Sequence, residues 1–396
     1  MKFKISSFYF AICYMLLGCQ ALILIGHPLQ IYALISVGTW GIMVAQVVAI
    51  VTLLLDNEKK LLENNPLVMV AILLLSIIIA VSLNNRINLM ILTKIVTFTQ
   101  LPLFLLIAPK GNAQKNKKAI YIVNFIYPVA FLFFYRSSFA YRFYGPYGET
   151  LHESLTLGYN NPNEAALYLM ICFFILLSAM FYFNRYAIRL LALLEACLVG
   201  YLIYLTGSRA ALILCVLIVV AMIITREYVI KPSLLLIVFL IPLFFTVLMV
   251  MFPEIAHTVV LGETIENGRL SMVTDYLSEV NLFEFLFGNF SKYNLGNLHN
   301  GMLSICASFG IGITILFFVI LHYAYKNVLL KGDLNRAAYM PVALGLLAIV
   351  IYSVAEAAPF VAGSVFSASI FMLAYLAAPE KEIEKSESEQ IEDSTH

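Results

Sequence analysis

The sequence predicts an all-α, polytopic integral membrane protein with about 12 transmembrane helices and a large outer loop that carries a short amphipathic helix. Composition is the first observation: 62% of the 396 residues are apolar and 12% are charged, against roughly 45–50% and 25% in soluble domains. A spanning helix needs about 20 residues, so roughly 245 apolar residues allow about twelve spans. The net charge of +1 excludes nucleic acid as a partner and leaves the lipid bilayer.

The spacing of apolar runs is the second observation. Charged or turn residues divide the chain into twelve runs, each long enough for a helix that crosses or nearly crosses a bilayer. The runs are 8–25, 29–55, 66–83, 87–108, 119–135, 162–183, 190–205, 210–225, 234–252, 301–325, 337–355 and 360–378.

The distribution of positive charge is the third observation. Of the 24 Lys and Arg residues, 17 fall in segments that are inside if the N-terminus is inside, and Lys94 lies within a run. Six fall outside: Arg86, Arg136, Arg142, Arg209, Arg269 and Lys292. The positive-inside rule therefore predicts that both termini are cytoplasmic. Residues 1–378 form a single membrane domain with outer loops 136–161 and 253–300, and residues 379–396 form an acidic, disordered cytoplasmic tail.

Arginine dominates the outer cations, and its planar guanidinium can bond two phosphate oxygens at once. Arg142 also suits a simpler role, in which it reaches lipid headgroups. Arg209 follows the tight turn at 206–208, where a charge at membrane depth needs an anion or a partner. A phosphorylated ligand is one such anion, and a salt bridge to Glu164 or Glu356 is the rival. Arg269 opens the amphipathic helix, and we therefore take all three arginines as candidate phosphate-binding residues.

The amphipathic helix is predicted from the 269–280 segment of the second outer loop. Its apolar residues recur at intervals of three and four, which places them on one helix face: Leu270, Val273, Leu277 and Val280. A run of aromatic residues follows and is expected to hold the loop against the membrane: Phe283, Phe285, Phe287 and Phe290.

His299 and Glu356 are the candidate catalytic residues. Asn300 suits the N-cap of the helix that follows, which places His299 beside the positive end of that helix. A neutral imidazole there can accept a proton from a hydroxyl, although a purely structural role explains the residue equally well. Glu356 could orient His299, pair with an arginine or act as the base itself. The 161–164 segment, Asn-Pro-Asn-Glu, is explained by helix capping alone.

The sequence carries no motif for a metal or a cofactor. The other histidines are scattered singly, and neither a phosphate-binding glycine loop nor a dinucleotide fingerprint is present. We therefore predict a reaction without metal or cofactor, whose driving force comes from an activated substrate.

The ordered set of short motifs resembles the membrane glycosyltransferases that include the O-antigen and capsule repeat-unit polymerases (Wzy type) and the O-antigen ligases. The matching segments are 206–212 (TGSRAAL), 268–270 (GRL), 287–289 (FGN) and 298–301 (LHNG), with Gly310 and Gly312 after them. The resemblance covers roughly residues 200–325. The twelve-span layout with a large outer loop extends it to the whole chain.

The resemblance implies an inverting, metal-independent transfer of glycan from an undecaprenyl-diphosphate carrier at the outer face of a bacterial cytoplasmic (inner) membrane. Arg209 and Arg269 would bind the donor diphosphate, and His299 would activate or position the acceptor hydroxyl. The partners it suggests are the lipid-linked oligosaccharide, a chain-length regulator and a flippase.

A polymerase and a ligase differ in the acceptor, which is another lipid-linked repeat unit for the first and the lipid A core for the second. Only 29 residues lie between Arg269 and His299, which favours the polymerase over the ligase. A flippase or transporter is the alternative from another class, but its functional charges would lie near the bilayer midplane. A peptidoglycan polymerase shares the chemistry, but its loop signatures are absent from the sequence.

Overall fold

A computed structural model describes most of the chain. It covers residues 5–56, 66–84, 88–110, 114–134, 139–144, 150–159, 161–224, 232–252, 259–260, 263–264, 269–293, 298–329, 336–354, 356, 358–361 and 364–378. The predicted acidic tail, 379–396, lies outside the described residues. The side chains of Arg142 and Arg269 also lie outside them, although the backbone is described at both positions.

The N-terminal half consists of seven helices and one hairpin among the described residues. The helices are α1 (Ile5–Leu29), α2 (Tyr32–Asp56), α3 (Pro66–Asn84), α4 (Leu89–Phe98), α5 (Gln100–Ile107), α6 (Gln114–Phe134) and α7 (Pro162–Tyr182). A short 3-10 turn, Ala108–Lys110, follows α5. The hairpin pairs β1 (Phe139–Tyr144) with β2 (Thr150–Leu155) in antiparallel register.

The C-terminal half continues with α8 (Tyr186–Leu205), α9 (Arg209–Ile224) and α10 (Pro232–Met251). A two-residue hairpin, β3 (Val259–Val260) with β4 (Glu263–Thr264), comes next. Short helices follow: α11 (Arg269–Glu279), α12 (Leu282–Phe287), α13 (Phe290–Tyr293) and α14 (Gly301–Phe309). The last helices are α15 (Ile311–Leu329), α16 (Arg336–Tyr352), α17 (Ala358–Val361) and α18 (Ser364–Ala377).

Seven helical segments of the described chain are long and apolar enough to cross a membrane: Ser7–Leu29, Tyr32–Asp56, Pro66–Leu83, Ile91–Lys110, Pro162–Tyr182, Tyr186–Leu205 and Ile311–Leu329. Shorter apolar helices occupy Arg209–Ile224, Pro232–Ile241, Ala337–Tyr352 and Phe366–Ala377. The chain is therefore a helical protein whose long apolar helices indicate a membrane-embedded, multi-pass architecture. Every predicted apolar run contains helix, but the number of twelve crossings stays a prediction.

Three of the predicted runs contain a break that the apolar pattern did not indicate. The run at 87–108 is interrupted at Thr99, three residues before Pro102, whose ring nitrogen cannot donate to the carbonyl of Phe98. The run at 301–325 is interrupted at Gly310, which has a φ of 89°. The run at 360–378 contains both α17 and α18. Apolar composition predicts the runs but not these breaks.

The hairpin of β1 and β2 is a further difference from the prediction, which has an outer loop over 136–161. The two strands pair from Phe139 opposite Leu155 to Tyr144 opposite Thr150. Aromatic residues at 139, 141 and 143 alternate with other residues, and aromatic side chains favour strands. This alternation was the available signal.

Helix α7 lies at the centre of the bundle. Its side chains from Ala165 to Ala179 are all buried, and it contacts α6, α8, α16 and α18. A helix that is apolar on every side gains most when it is covered on every side. Gly345 of α16 permits the close approach, because a Cβ atom there would lie 2.5 Å from Cδ2 of Phe174. The first turn of α7 is thus anchored on the most enclosed element of the fold.

Two glycines hold the segment before α14 against the end of α14. A Cβ atom at Gly288 would lie 2.4 Å from the backbone nitrogen of Phe309, and one at Gly310 would lie 2.1 Å from the carbonyl oxygen of Leu286. Both glycines have a positive φ, 72° and 89°. The backbone N–H of Asn289 also donates to the carbonyl of Ala307 at 2.7 Å. These contacts fix where α14 ends.

Candidate functional site

The candidate site lies where the first turns of α7, α9 and α14 meet the chain that leaves α16. The hydroxyl of Tyr352, the last residue of α16, donates to the carbonyl of Asn163 at 3.0 Å. The same hydroxyl lies 3.2 Å from Oγ of Ser208, the residue before α9. The backbone N–H of Gly301 donates to the carbonyl of Ser353 at 2.8 Å. Four elements that are distant in sequence therefore share one end of the bundle.

Glu356 is at the centre of this network and is 4% exposed. Its Oε1 lies 3.2 Å from Nδ1 of His299 and accepts from Nδ2 of Asn161 at 3.2 Å. Its Oε2 accepts from Nδ2 of Asn163 at 3.1 Å. Its backbone N–H donates to the carbonyl of Tyr352 at 3.0 Å, which extends the last turn of α16. The carboxylate is thus enclosed and bonded at both oxygens.

His299 has a backbone conformation that residues other than glycine rarely adopt. Its φ is 47°, in the left-handed region, where histidine is more common than most residues. Asn300 follows as the predicted N-cap of α14, and its side-chain oxygen accepts from the N–H of Leu303 at 3.1 Å. The side chain of His299 is 36% exposed. One ring nitrogen therefore faces Glu356 while part of the ring can meet a ligand.

Arg209 is the first residue of α9, and a polar turn places it there. The N–H of Ser208 donates to Oγ1 of Thr206 at 3.2 Å, and the carbonyl of Ser208 accepts from the N–H of Leu212 at 3.1 Å. Gly207 between them has a φ of 71°. Arg209 is half-buried and follows the serine that contacts Tyr352. A cation at a helix N-terminus favours an anionic ligand.

A second turn supports the start of α7 from outside the site. Gly158 has a φ of 77°, and a Cβ atom there would lie 1.9 Å from the carbonyl oxygen of His27. The ring of His27 stacks on that of Tyr159 with centroids 4.0 Å apart. The last turn of α1 therefore contacts the chain that leads into Asn161.

The other two predicted arginines are placed only by their backbone. Arg142 lies in β1 opposite His152, and Arg269 is the first residue of α11. Helix α11 packs beside α14, since the hydroxyl of Tyr276 contacts Sγ of Cys306 at 3.9 Å. The position of the two guanidinium groups relative to His299 stays a prediction.

Among the described side chains, the buried face of α11 differs from the predicted one at Leu277, and the side chain of Leu270 lies outside the described residues. Val273 and Tyr276 are buried and Val280 is half-buried, whereas Leu277 is 42% exposed. Tyr276 is buried in place of Leu277 because its ring packs edge-on against that of Tyr293, with the ring centroids 5.2 Å apart. Of the four phenylalanines predicted to face the membrane, Phe283 and Phe285 are exposed but Phe290 is buried against Phe309.

One ion pair lies on the surface of this segment. Nζ of Lys292 bonds Oε2 of Glu279 at 2.8 Å. This hydrogen bond and the positive charge of Lys292 hold the pKa of the Glu279 carboxyl below its ordinary value. Burial raises the pKa of Tyr276, so its phenol is neutral at physiological pH.

No group of three or more His, Cys, Asp or Glu residues could hold a metal ion within the described part of the chain. Comparison of the chain with family models, with curated proteins and with solved structures gives no match.

Sequence reasoning missed the second role of the two asparagines. Asn161 does cap α7, since its Oδ1 accepts from the N–H of Asn163 at 3.0 Å. Capping does not explain the contacts of both amide groups with Glu356, which is nearly 200 residues away in the chain. Tyr352 and Ser208 were missed as well. The two polar residues of the Asn-Pro-Asn turn were the only local signal.

The arrangement can perform proton transfer near an anion-binding group. A half-exposed imidazole oriented by a buried carboxylate is a competent general base. The start of α9 supplies backbone N–H groups and a guanidinium at the same end of the bundle.

Proposed function

We propose that the chain is a polysaccharide repeat-unit polymerase, of the O-antigen or capsule kind, that transfers glycan from an undecaprenyl-diphosphate carrier to an acceptor hydroxyl. The observation that carries this proposal is the 3.2 Å contact of His299 with Glu356 at the end of the bundle where Arg209 begins α9. The proposed base and the group that orients it are in contact, and the proposed cation for the leaving diphosphate begins the helix whose preceding residue, Ser208, contacts Tyr352 of the same network. The motifs that resemble membrane glycosyltransferases contribute the substrate class.

The proposed topology has twelve crossings of a bacterial cytoplasmic membrane, with both termini in the cytoplasm. Loops 136–161 and 253–300 are then outside, together with the first turns of α7, α9 and α14. Helix α11 is the short amphipathic helix of the second outer loop. The exposed apolar side chains of the neighbouring helix α12, Leu282, Phe283 and Leu286, favour a position in the outer leaflet.

In the proposed reaction, Nε2 of His299 accepts the proton of the acceptor hydroxyl as that oxygen bonds the anomeric carbon. The bond from this carbon to the diphosphate oxygen breaks, and its electron pair leaves with the diphosphate. Displacement from the opposite face inverts the anomeric carbon. Arg209, with Arg269 and Arg142, stabilises the charge that develops on the leaving group. Glu356 orients the imidazole and stabilises the imidazolium that forms.

The test is glycan length in a host strain from which the gene is deleted, complemented with wild type, His299→Asn, His299→Ala and Arg209→Ala. Asparagine tolerates a left-handed φ and keeps a side-chain donor for Glu356, but it lacks Nε2. Because a general base contributes about 10²–10⁴ in rate, we expect wild type to restore long chains and these variants to leave single repeat units. Arg185→Ala is the matched control, since Arg185 is an exposed arginine that precedes α8.

The place where single repeat units accumulate distinguishes a polymerase from a ligase and from a flippase. Single units attached to the surface acceptor identify a polymerase. Units retained on the lipid carrier at the outer leaflet identify a ligase, and units retained at the inner leaflet identify a flippase. Membrane levels of every variant are measured in parallel, and normal chain length in His299→Asn at wild-type levels contradicts the mechanism.

A further inference from the structure

We propose that Asn161 and Asn163 form an amide clamp that orients Glu356 and so selects the tautomer of His299 with its proton on Nδ1. The amide clamp is defined by the two contacts of the asparagine Nδ2 atoms with the Glu356 carboxylate, at 3.2 and 3.1 Å. The two asparagines are positioning residues, because they act through Glu356 and His299. The kinetic part of the inference rests on the proposed function, whereas the tautomer does not.

The directions of the hydrogen bonds follow from the chemistry of the groups. Oδ1 of Asn161 accepts from the backbone N–H of Asn163 at 3.0 Å, so the other atom of that amide, Nδ2, is the one that faces Glu356. An amide NH₂ group only donates. Both carboxylate oxygens therefore act as acceptors towards the amide clamp. An ionised carboxylate also accepts from its third neighbour, which makes Nδ1 of His299 the donor.

The amide clamp is held rigidly. Asn161 and Asn163 are in the first turn of α7, the most enclosed helix of the fold, with Pro162 between them at the first helical position. The carbonyl of Asn163 is fixed by the hydroxyl of Tyr352, which lies four residues before Glu356. The donors and the carboxylate are therefore positioned by the same two helices, α7 and α16.

The consequence concerns the other ring nitrogen. When Nδ1 carries the proton and donates to Glu356, Nε2 of the neutral ring has a lone pair and can accept a proton. The partly exposed ring makes Nε2 available to a ligand. Without the amide clamp, the Glu356 carboxylate loses two of the bonds that fix its orientation towards His299, and the fraction of the Nδ1–H form then falls.

The experiment uses the full chain in lipid nanodiscs with ¹⁵N-labelled histidine, whose nitrogen chemical shifts distinguish the two neutral tautomers. The His299 signal is assigned by its loss in His299→Asn. The test variants are Asn161→Asp and Asn163→Asp, which keep the helix start because Asp is a good N-cap and is favourable in a first turn. Asn161→Ser keeps the cap without adding a charge, and it guards against an effect of charge alone.

Asn289→Asp is the matched control. Asn289 combines the same two roles elsewhere, since its Oδ1 accepts from the N–H of Lys292 at 3.1 Å and its Nδ2 donates to Glu284 at 2.9 Å. We expect wild type and Asn289→Asp to show the Nδ1–H form of His299. We expect the test variants to lose much of that form, with the larger loss in the two Asp variants, whose added carboxylate faces that of Glu356; Asn161→Ser, measured at a melting temperature near that of wild type, separates the tautomer shift from a loss of folding.

An unchanged Nδ1–H signal in all three test variants overturns the inference. The same variants also test the kinetic consequence, for which we expect a kcat lower by about tenfold or more with KM nearly unchanged. A tautomer shift without any glycosyl transfer by the wild type refutes the proposed function and leaves the amide clamp in place. Glycosyl transfer that needs His299, with no tautomer shift, does the reverse.

Discussion

The two ends of helix α14 are fixed in different ways. At its N-terminal end, side chains do most of the work: Asn300 caps the helix and donates to the carbonyl of Val354 at 3.2 Å, and His299 contacts Glu356. At its C-terminal end, backbone meets backbone through Gly288 and Gly310. The residues of the proposed chemistry therefore lie at the end that is fixed by side chains, whereas backbone contacts at the other end set the position of the helix.

Substitution of the two glycines is the largest expected effect. Gly310→Ala places a methyl group 2.1 Å from the carbonyl oxygen of Leu286, and Gly288→Ala places one 2.4 Å from the nitrogen of Phe309. Both glycines combine a positive φ with a ψ of 173° or 165°, a backbone region that is essentially confined to glycine and costs another residue about 1–3 kcal/mol. Because backbone atoms cannot move aside cheaply, we expect each variant to fail to accumulate in membranes, measured by immunoblot and by melting in detergent.

Gly312→Ala is the matched control for this prediction. Gly312 is two residues away in α15, and a Cβ atom there meets nothing within 4 Å. Alanine also favours helix over glycine by about 1 kcal/mol. We expect Gly312→Ala to accumulate and melt like wild type or at a slightly higher temperature. Normal accumulation of Gly310→Ala would show that the C-terminal end of α14 tolerates separation from α12.

The contact between α12 and the C-terminal end of α14 could not be predicted from the sequence. Gly288 and Gly310 both belong to the short motifs that carry the resemblance to membrane glycosyltransferases. No local pattern, however, predicts which backbone segment each glycine contacts. The cap by Asn300 was predicted because a cap is a relation between neighbours in sequence. The amide clamp on Glu356 was not, because its partners are nearly 200 residues apart.

The periodicity of apolar residues predicted where a helix forms better than it predicted which face of that helix is buried. It predicted a helix over 269–280, and the structure contains α11 there. It selected Leu277 for the buried face, whereas the ring of Tyr276 packs against Tyr293. A tertiary contact decided between two adjacent apolar residues, and no hydrophobicity pattern contains that information. The alternating aromatic residues of β1 favour a strand, whereas the prediction for this segment was a loop.

Removal of the N-cap is the intermediate effect. Asn300→Ala removes the acceptor for the N–H of Leu303 and the donor to Val354, and we expect a loss of about 1 kcal/mol, measured as a lower melting temperature. Asn300→Ser restores the cap with a side chain too short to replace the second bond. A melting temperature near that of wild type for Asn300→Ser shows that the capping bond to Leu303 contributes more stability than the bond to Val354. Equal losses in both variants would assign the effect to the Val354 contact instead.

We expect the smallest effect from removal of the ion pair between Glu279 and Lys292. This pair connects α11 to α13, near the C-terminal end of α14. Both side chains are largely exposed, so solvent and salt screen the attraction. Glu279→Gln removes the charge with little change of shape. We expect a melting temperature close to that of wild type at about pH 7, in contrast to the glycine variants on the same segment.

The pH dependence of this pair has a definite sign. Because Lys292 lowers the pKa of the folded Glu279 carboxyl, whatever stability the pair contributes is present at neutral pH and is lost as the pH falls through that lowered value. The small difference between wild type and Glu279→Gln should therefore be greatest at about pH 7 and shrink as the pH falls below the ordinary pKa of a glutamate. A difference that grows on acidification, or one as large as that of Gly310→Ala, would mean that charge rather than backbone contact fixes this end of α14.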